Sequence, residues 1–231
     1  MRRPGSTRST AGSRLSKSAH TDRPSELSEH LLRPVALISA AAAPILLIGG
    51  WTVAESLQPP GFDPLHDTIS QLAALDARDR GVMTTALVGT GLAYLCTAFG
   101  LTEVARVGRL LLAIGGVGTI MVAVFPLPAD PTAHGVSAGV AFIALAAWPF
   151  FAVGGSPDAP WTVRRPFTII AGLTLLALVA WFGAALQSGN LVGLAERIAA
   201  GAQATWPLIV AVSLFATSRR RPAAAGADAV R

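Results

Sequence analysis

The feature that most constrains the fold of this chain is a set of six segments that contain no Asp, Glu, Lys or Arg. They are Val35–Ala54, Gly81–Leu101, Leu110–Phe125, Gly135–Gly155, Phe167–Leu186 and Ile198–Ser218. A helix needs about 20 residues to cross the hydrocarbon core of a bilayer, and its backbone polar groups must be paired within the segment. The sequence therefore predicts an all-α protein, an integral membrane bundle of six transmembrane helices.

The overall composition supports a membrane protein over a soluble one. Hydrophobic residues make up 52% of the chain and charged residues only 13%, whereas about a quarter of the residues of a soluble domain are charged. The segment 110–125 is the shortest of the six, so a re-entrant hairpin is an alternative for it. Pro126, Leu127 and Pro128 extend this segment toward the interface and favour a full span.

The two ends of the chain differ in composition from the apolar region between them. Residues 1–32 are rich in Ser, Thr, Arg and Pro and have few large apolar side chains, which is typical of disorder. We therefore expect a disordered tail at 1–32, a six-helix domain at 33–218 and a basic tail at 219–231. Both tails are predicted to be cytoplasmic.

The distribution of basic residues predicts this orientation. If the six segments alternate across the membrane, fifteen of the eighteen Lys and Arg residues fall on the side that carries both termini. Basic residues are enriched in cytoplasmic loops. The abundance of Arg and Ala suggests a bacterial genome and hence the bacterial plasma membrane. The charge fits membrane lipids as partners, whereas no nucleic acid is expected because no folded basic domain is present.

The loop between the first two segments concentrates ionisable residues on the predicted extracytoplasmic side. It reads "GFDPLHDTISQLAALDARDR", and its Asp63-Pro64 pair is typical of a helix start. Apolar residues recur from Leu65 to Ala73 at helical spacing, so we expect a short interfacial helix from Pro64 to about Ala74. The opposite side of that helix would carry His66, Asp67 and Ser70.

The other two loops on the same side repeat this concentration of polar residues. In "FPLPADPTAHG", Asp130 precedes Pro131 and His134 follows four residues after Asp130. In the loop before the last segment, Glu196 and Arg197 fall in the first turns of the final helix. The sequence thus predicts a polar cluster built from three loops.

Three stretches of this pattern resemble a known family. "DPLHDTISQLAA" follows the first segment, "FP" precedes His134 at the start of the fourth, and "GLAERIAAGAQATW" enters the sixth. Together they resemble the bacterial and archaeal membrane family called domain of unknown function 998, over residues 34 to about 217. The resemblance implies a six-helix fold, with no settled activity and no catalytic residues.

Two hypotheses for the polar cluster involve no catalysed reaction. In the first, the polar residues only cap helices and hold loops in register. In the second, they bind a ligand such as a lipid headgroup, because ionisable residues near a bilayer usually serve a function when they face the bundle interior. In that case Arg197 would meet an anionic headgroup or a carboxylate such as Asp67. The candidate ligand-binding residues are His66, Asp67, Ser70, Asp130, His134, Glu196 and Arg197.

A third hypothesis is a membrane hydrolase acting on lipid. His66, His134, Asp67 and Asp130 form an allowed ligand set for zinc, with Ser70 as a nucleophile, but no tight metal motif is present, so no cofactor is predicted.

A small-solute transporter is a fourth hypothesis, although charges at the bilayer midplane, which would favour it, are missing. Small residues along the segments are predicted to pack helices closely, either within the chain or in an oligomer.

Overall fold

The computed structural model describes residues 23–155 and 159–228, with side chains for 32–155 and 159–217. Within these ranges the secondary structure consists of α-helices joined by turns and loops, with two short 3₁₀ helices and no strand beyond one isolated bridge between Val104 and Gly154. The helices are α1 Arg23–Ser56, α2 Ile69–Leu72, α3 Gly81–Gly100, α4 Arg106–Val124, α5 Pro131–Ala147, α6 Arg165–Ser188 and α7 Val192–Asp228.

Six of these helices are long and apolar enough to cross a membrane. Their spans are Leu32–Ser56, Gly81–Gly100, Arg106–Val124, Pro131–Phe151, Arg165–Ser188 and Val192–Thr217. The predicted all-α membrane bundle of six helices is confirmed. Helix α4 runs without a break over 19 residues, so the re-entrant hairpin considered for segment 110–125 is wrong.

Two boundaries differ from the sequence-based expectation. Helix α1 begins at Arg23, so residues 23–32 of the predicted disordered tail are helical, because this stretch contains Glu, Leu and Arg, which favour helix. Residues 1–22 lie outside the described range. Helix α7 continues to Asp228, which places most of the predicted basic tail in the same helix.

Close helix packing depends on small residues facing one another. A Cβ atom added to Gly91 of α3 would lie 2.5 Å from the carbonyl oxygen of Gly116 in α4, and one added to Gly50 of α1 would lie 2.2 Å from the Cβ of Ala86 in α3. Helices associate in lipid mainly by packing, which small side chains permit. These glycines therefore allow neighbouring helices of the same chain to pack closely, as predicted for small residues.

The bundle has two ends of different character. We call the end at which α1 stops and α7 starts the polar end; it carries the connections 57–80, 125–130 and 189–191. We call the opposite end the basic end; it carries the α3–α4 connection and the start of α6. The candidate residues from all three loops lie at the polar end, as the alternation of six spans requires.

Candidate functional site

The segment between α1 and α3 contains a shorter helix than predicted. Instead of a helix from Pro64 to about Ala74, only Ile69–Leu72 is α-helical. The side chain of Thr68 accepts a hydrogen bond from the Gln71 amide, and the side chain of Gln71 accepts one from the Thr68 amide. This reciprocal capping box starts the helix at Thr68 and leaves the preceding residues in a turn.

Asp63 organises that preceding turn. Its Oδ1 accepts a hydrogen bond from the Leu65 amide at 2.9 Å, and its Oδ2 lies 2.7 Å from Nδ1 of His66. The hydrogen bond to His66, followed by that to Leu65, lowers the pKa of the Asp63 carboxyl below its ordinary value of 3.8. The carboxylate of Asp67 accepts from the Asp63 amide at 2.7 Å. The imidazole of His66 is thereby engaged within its own turn.

Glu196 connects this segment to helix α7. Its side chain is buried, with 4% of its surface exposed. One carboxylate oxygen accepts the Ile69 amide at 2.5 Å, and the other accepts the Ser70 hydroxyl at 3.2 Å. Ile69 is the first residue of α2, so Glu196 pairs an amide that has no partner within the helix. Glu196 and Ser70, both predicted for the cluster, are in contact.

Arg197 binds a different carboxylate from the one that was expected. Its Nε lies 2.6 Å and its Nη2 2.5 Å from Oε1 of Glu55, at the end of α1. Its Nη1 donates to the backbone carbonyls of Asp67 and Gly193, so the expected contact with the Asp67 side chain is replaced by one with its backbone. Glu55 was missed by the sequence analysis, although it directly follows the apolar segment Val35–Ala54.

The second loop contributes residues that the structure keeps apart from this cluster. Asp130 caps helix α5 by accepting the Ala133 amide at 2.8 Å. His134 is buried, and its Nδ1 lies 2.8 Å from the carbonyl oxygen of Phe125. In the part of the chain with described side chains, neither residue bonds to Glu196 or Arg197.

The four side chains considered as zinc ligands each have a separate partner. His66 contacts Asp63, Asp67 binds a backbone amide, Asp130 caps α5, and His134 contacts a carbonyl oxygen. Across the described residues, no group of three or more His, Cys, Asp or Glu side chains is arranged to hold a metal.

A cavity of about 60 Å³ lies inside the bundle below the α2 segment. Its apolar lining comes from α1, α2, α3, α4, α5 and α7. Its polar lining consists of Ser70, Thr90, Tyr94, Thr119, Glu196 and Gln203.

Two polar residues deep in this cavity were not predicted as site residues. Gln203 is 1% exposed and donates to the carbonyl oxygen of Phe142 at 2.8 Å. Thr90 is fully buried, and its hydroxyl has no hydrogen-bond partner within the part of the chain that the structure describes. Gln203 follows Glu196 by two helical turns, so the two share one face of α7. That spacing is the only signal in the sequence that could have linked Gln203 to the cluster.

Comparison with known proteins identifies a family and nothing narrower. No curated protein and no solved structure matches the chain significantly. A family model described as "Protein of unknown function (DUF998)" matches residues 40–213. This range is well over half of the chain and includes every polar residue of the cavity and its cover. The chain is therefore a member of the DUF998 family, multi-pass membrane proteins whose function is unknown.

Proposed function

We propose that the cavity below α2 binds one hydroxyl or ammonium group from the polar end of a lipid or a related amphiphile, because its volume of about 60 Å³ admits only a few atoms. The observation that carries this proposal is that one cavity is lined both by a buried carboxylate, Glu196, and by a buried hydroxyl, that of Thr90, which has no hydrogen-bond partner among the described residues. Buried polar groups without partners are uncommon, and each calls for an explanation. A ligand hydroxyl or ammonium group would supply one.

The hydrogen-bonding capacity of the lining favours a donor on the ligand. Each carboxylate oxygen of Glu196 accepts one hydrogen bond from the protein, although a carboxylate oxygen can accept about two. The remaining walls are largely apolar, which suits the chain-proximal part of an amphiphile. A binding pocket with apolar walls and a few convergent polar groups is the usual form of a small-molecule site.

An anionic ligand at Arg197 is not favoured. All three nitrogens of its guanidinium contact Glu55 or backbone carbonyls. Binding an anion there would require one of these contacts to break, at the cost of leaving Glu55 unpaired. We therefore assign ligand binding to Glu196, which lines the cavity, and not to its neighbour Arg197.

The hydrolase hypothesis receives less support. A serine nucleophile is usually activated by an adjacent base, most often an imidazole. Ser70 instead donates to Glu196, while His66 is engaged by Asp63 and His134 by the Phe125 carbonyl. The transporter hypothesis also lacks its expected feature, which is charged residues in the middle of the described spans.

We also propose that the basic end faces the cytoplasm of a bacterial cell, because the basic residues are concentrated there.

Three short probes of equal chain length test the proposal: butylamine, butanol and butyrate. Each would be added to the full chain in a neutral detergent, and the shift in melting temperature would be measured. We expect butylamine to give the largest stabilisation, butanol a smaller one and butyrate none. In Glu196→Gln the preference for the amine should disappear. The matched control, Glu103→Gln, removes a carboxylate at the basic end and should leave the ranking unchanged.

Two outcomes would count against the proposed site. Stabilisation by butyrate equal to that by butylamine would show that Glu196 does not select the head group. An amine preference that survives in Glu196→Gln would place the binding elsewhere. Thr90→Val offers a second check, because it preserves shape and should weaken binding of butanol while leaving the fold intact.

A further inference from the structure

A groove at the basic end faces outward between α3 and α4. Its volume is about 320 Å³, and it is lined by Ala98, Phe99, Arg106, Arg109, Leu110 and Ala113. The groove lies where α3 ends and α4 begins, so it spans the predicted boundary between hydrocarbon and water. It shares no lining residue with the cavity below α2.

Arg109 is held in a fixed position at this groove. Its Nε donates to the carbonyl oxygen of Ala98 at 2.6 Å, and its Nη2 donates to that of Phe99 at 2.9 Å. These carbonyls lie in the last turn of α3, where helix geometry leaves them without partners. The two bonds use only neutral acceptors, and no carboxylate among the described side chains forms an ion pair with Arg109.

Arg106 adds a second positive charge to the same side of α4. It is exposed, lies three residues before Arg109 and therefore neighbours it on the helix surface. Within the described residues Arg106 has no ion-pair partner. The nearest acid along the chain, Glu103, is 2.8 Å from Arg33. None of the described residues that line the groove is acidic.

The rest of the groove is apolar and open to lipid. Phe99 has 70% of its surface exposed and Leu110 has 61%. Exposed side chains of this size suit contact with acyl chains. The groove thus combines two positive charges at its polar edge with an apolar floor directed along the helices.

We propose that this groove binds one anionic glycerophospholipid, whose phosphate lies against Arg106 and Arg109 and whose acyl chain lies along Leu110 and Ala113. Charge complementarity identifies the ligand, because an arginine pair without a carboxylate recognises phosphate strongly. The site does not depend on the function proposed for the cavity at the polar end.

Titration of the delipidated full chain, followed by native mass spectrometry, tests this site. The probes are phosphatidylglycerol and phosphatidylcholine with identical acyl chains. Wild type should bind phosphatidylglycerol more tightly. Arg106→Gln should weaken phosphatidylglycerol binding about fivefold, as expected from about 1 kcal/mol per basic residue near the surface, and leave phosphatidylcholine unchanged. Because Arg106 forms no ion pair with any described residue, the variant should keep its melting temperature.

A matched control separates a specific groove from general attraction to the basic end. Arg165 is also exposed and also begins a helix at this end, but it does not line the groove. Arg165→Gln should leave both affinities unchanged, whereas Ala113→Phe should fill the groove and weaken both lipids. The proposal is overturned if Arg165→Gln reduces phosphatidylglycerol binding as much as Arg106→Gln, or if wild type binds the two lipids equally.

Discussion

The two ends of the bundle use their charges in opposite ways. At the polar end, Glu55 pairs with Arg197, and Glu196 pairs with amide and hydroxyl groups of the α2 segment. In these contacts the charged groups bind other groups of the protein, and they join α1, α7 and the connection between α1 and α3. At the basic end, Arg106 and Arg165 extend outward without ion-pair partners among the described residues.

This difference separates charges that stabilise the protein from charges that meet its surroundings. A charge that is largely removed from water is costly unless it is paired, so the polar end should be sensitive to single substitutions. A charge at the membrane surface costs little and acts mainly on lipid headgroups. The comparison therefore predicts large losses of stability at the polar end and small ones at the basic end.

The largest effect is expected from Arg197→Met. The side chains of Arg197 and Glu55 are only 11% and 20% exposed, so removing the guanidinium leaves a mostly buried carboxylate without its partner. Two backbone carbonyls also lose a donor. We expect a loss of about 3 kcal/mol in the free energy of unfolding, near the lower bound for broken buried pairs. Denaturant titration in mixed micelles would measure it.

The ion pair at the basic end provides the control for this prediction. Arg33 and Glu103 are 2.8 Å apart, but their side chains are 36% and 33% exposed. Solvent screens such a pair, so Glu103→Gln should cost less than about 1 kcal/mol. If the two variants lose equal stability, the contrast drawn between the two ends is wrong.

A smaller effect is expected where α7 passes beneath the α1–α3 connection. A Cβ atom added at Gly193 would lie 2.2 Å from the carbonyl oxygen of Asp67 and 2.5 Å from that of Pro64. Both neighbours are backbone atoms, so Gly193→Ala should displace the turn and cost about 1–3 kcal/mol in the free energy of unfolding. The same micelle titration applies.

Gly139 on α5 is the matched control for this substitution. A Cβ atom added there would meet no atom within 4 Å. Gly139→Ala should therefore cause no loss, and the better helix propensity of Ala could add up to about 1 kcal/mol. A loss at Gly139 as large as that at Gly193 would mean that the α5 face is packed in the protein as purified, for example in an oligomer.

The fold was predictable because its cause is local in the sequence. Each uncharged segment of sufficient length must pair its own backbone groups in lipid, and no knowledge of its neighbours is needed. The same rule placed the three polar loops at one end. The capping box of Thr68 and Gln71 was also readable, and using it would have corrected the length of α2.

The partners within the site were not predictable because they depend on helix packing. Glu55 and Arg197 are 142 residues apart in the chain, and only the contact of α1 with α7 brings them together. The cavity residues Thr90 and Gln203 lie in uncharged segments, where a polar side chain facing a cavity has the same sequence pattern as one facing a neighbouring helix. The alternation of apolar segments and polar loops therefore predicted at which end of the bundle the polar residues lie, but it could not predict which of them contact one another.

The smallest effect is expected at Asp63, in the exposed turn before α2. Its carboxyl has a pKa below the ordinary value of 3.8 because it accepts hydrogen bonds from His66 and Leu65. A lowered pKa in the folded state means that ionised Asp63 stabilises the turn above pH 3.8. This contribution is lost as the pH falls through the lower, folded value. Hydrogen exchange at the Leu65 amide, relative to its intrinsic rate at each pH, should therefore show protection that disappears at acidic pH.

Asp63→Asn should remove this pH dependence, because the amide side chain does not ionise. The Gln71 amide provides an internal reference, since it donates to the hydroxyl of Thr68, which does not titrate in this range. If protection at Leu65 and Gln71 falls together on acidification, the whole α2 segment opens as one unit. The inward contacts of Glu196 and Arg197, rather than Asp63, would then set the acid stability of the polar end.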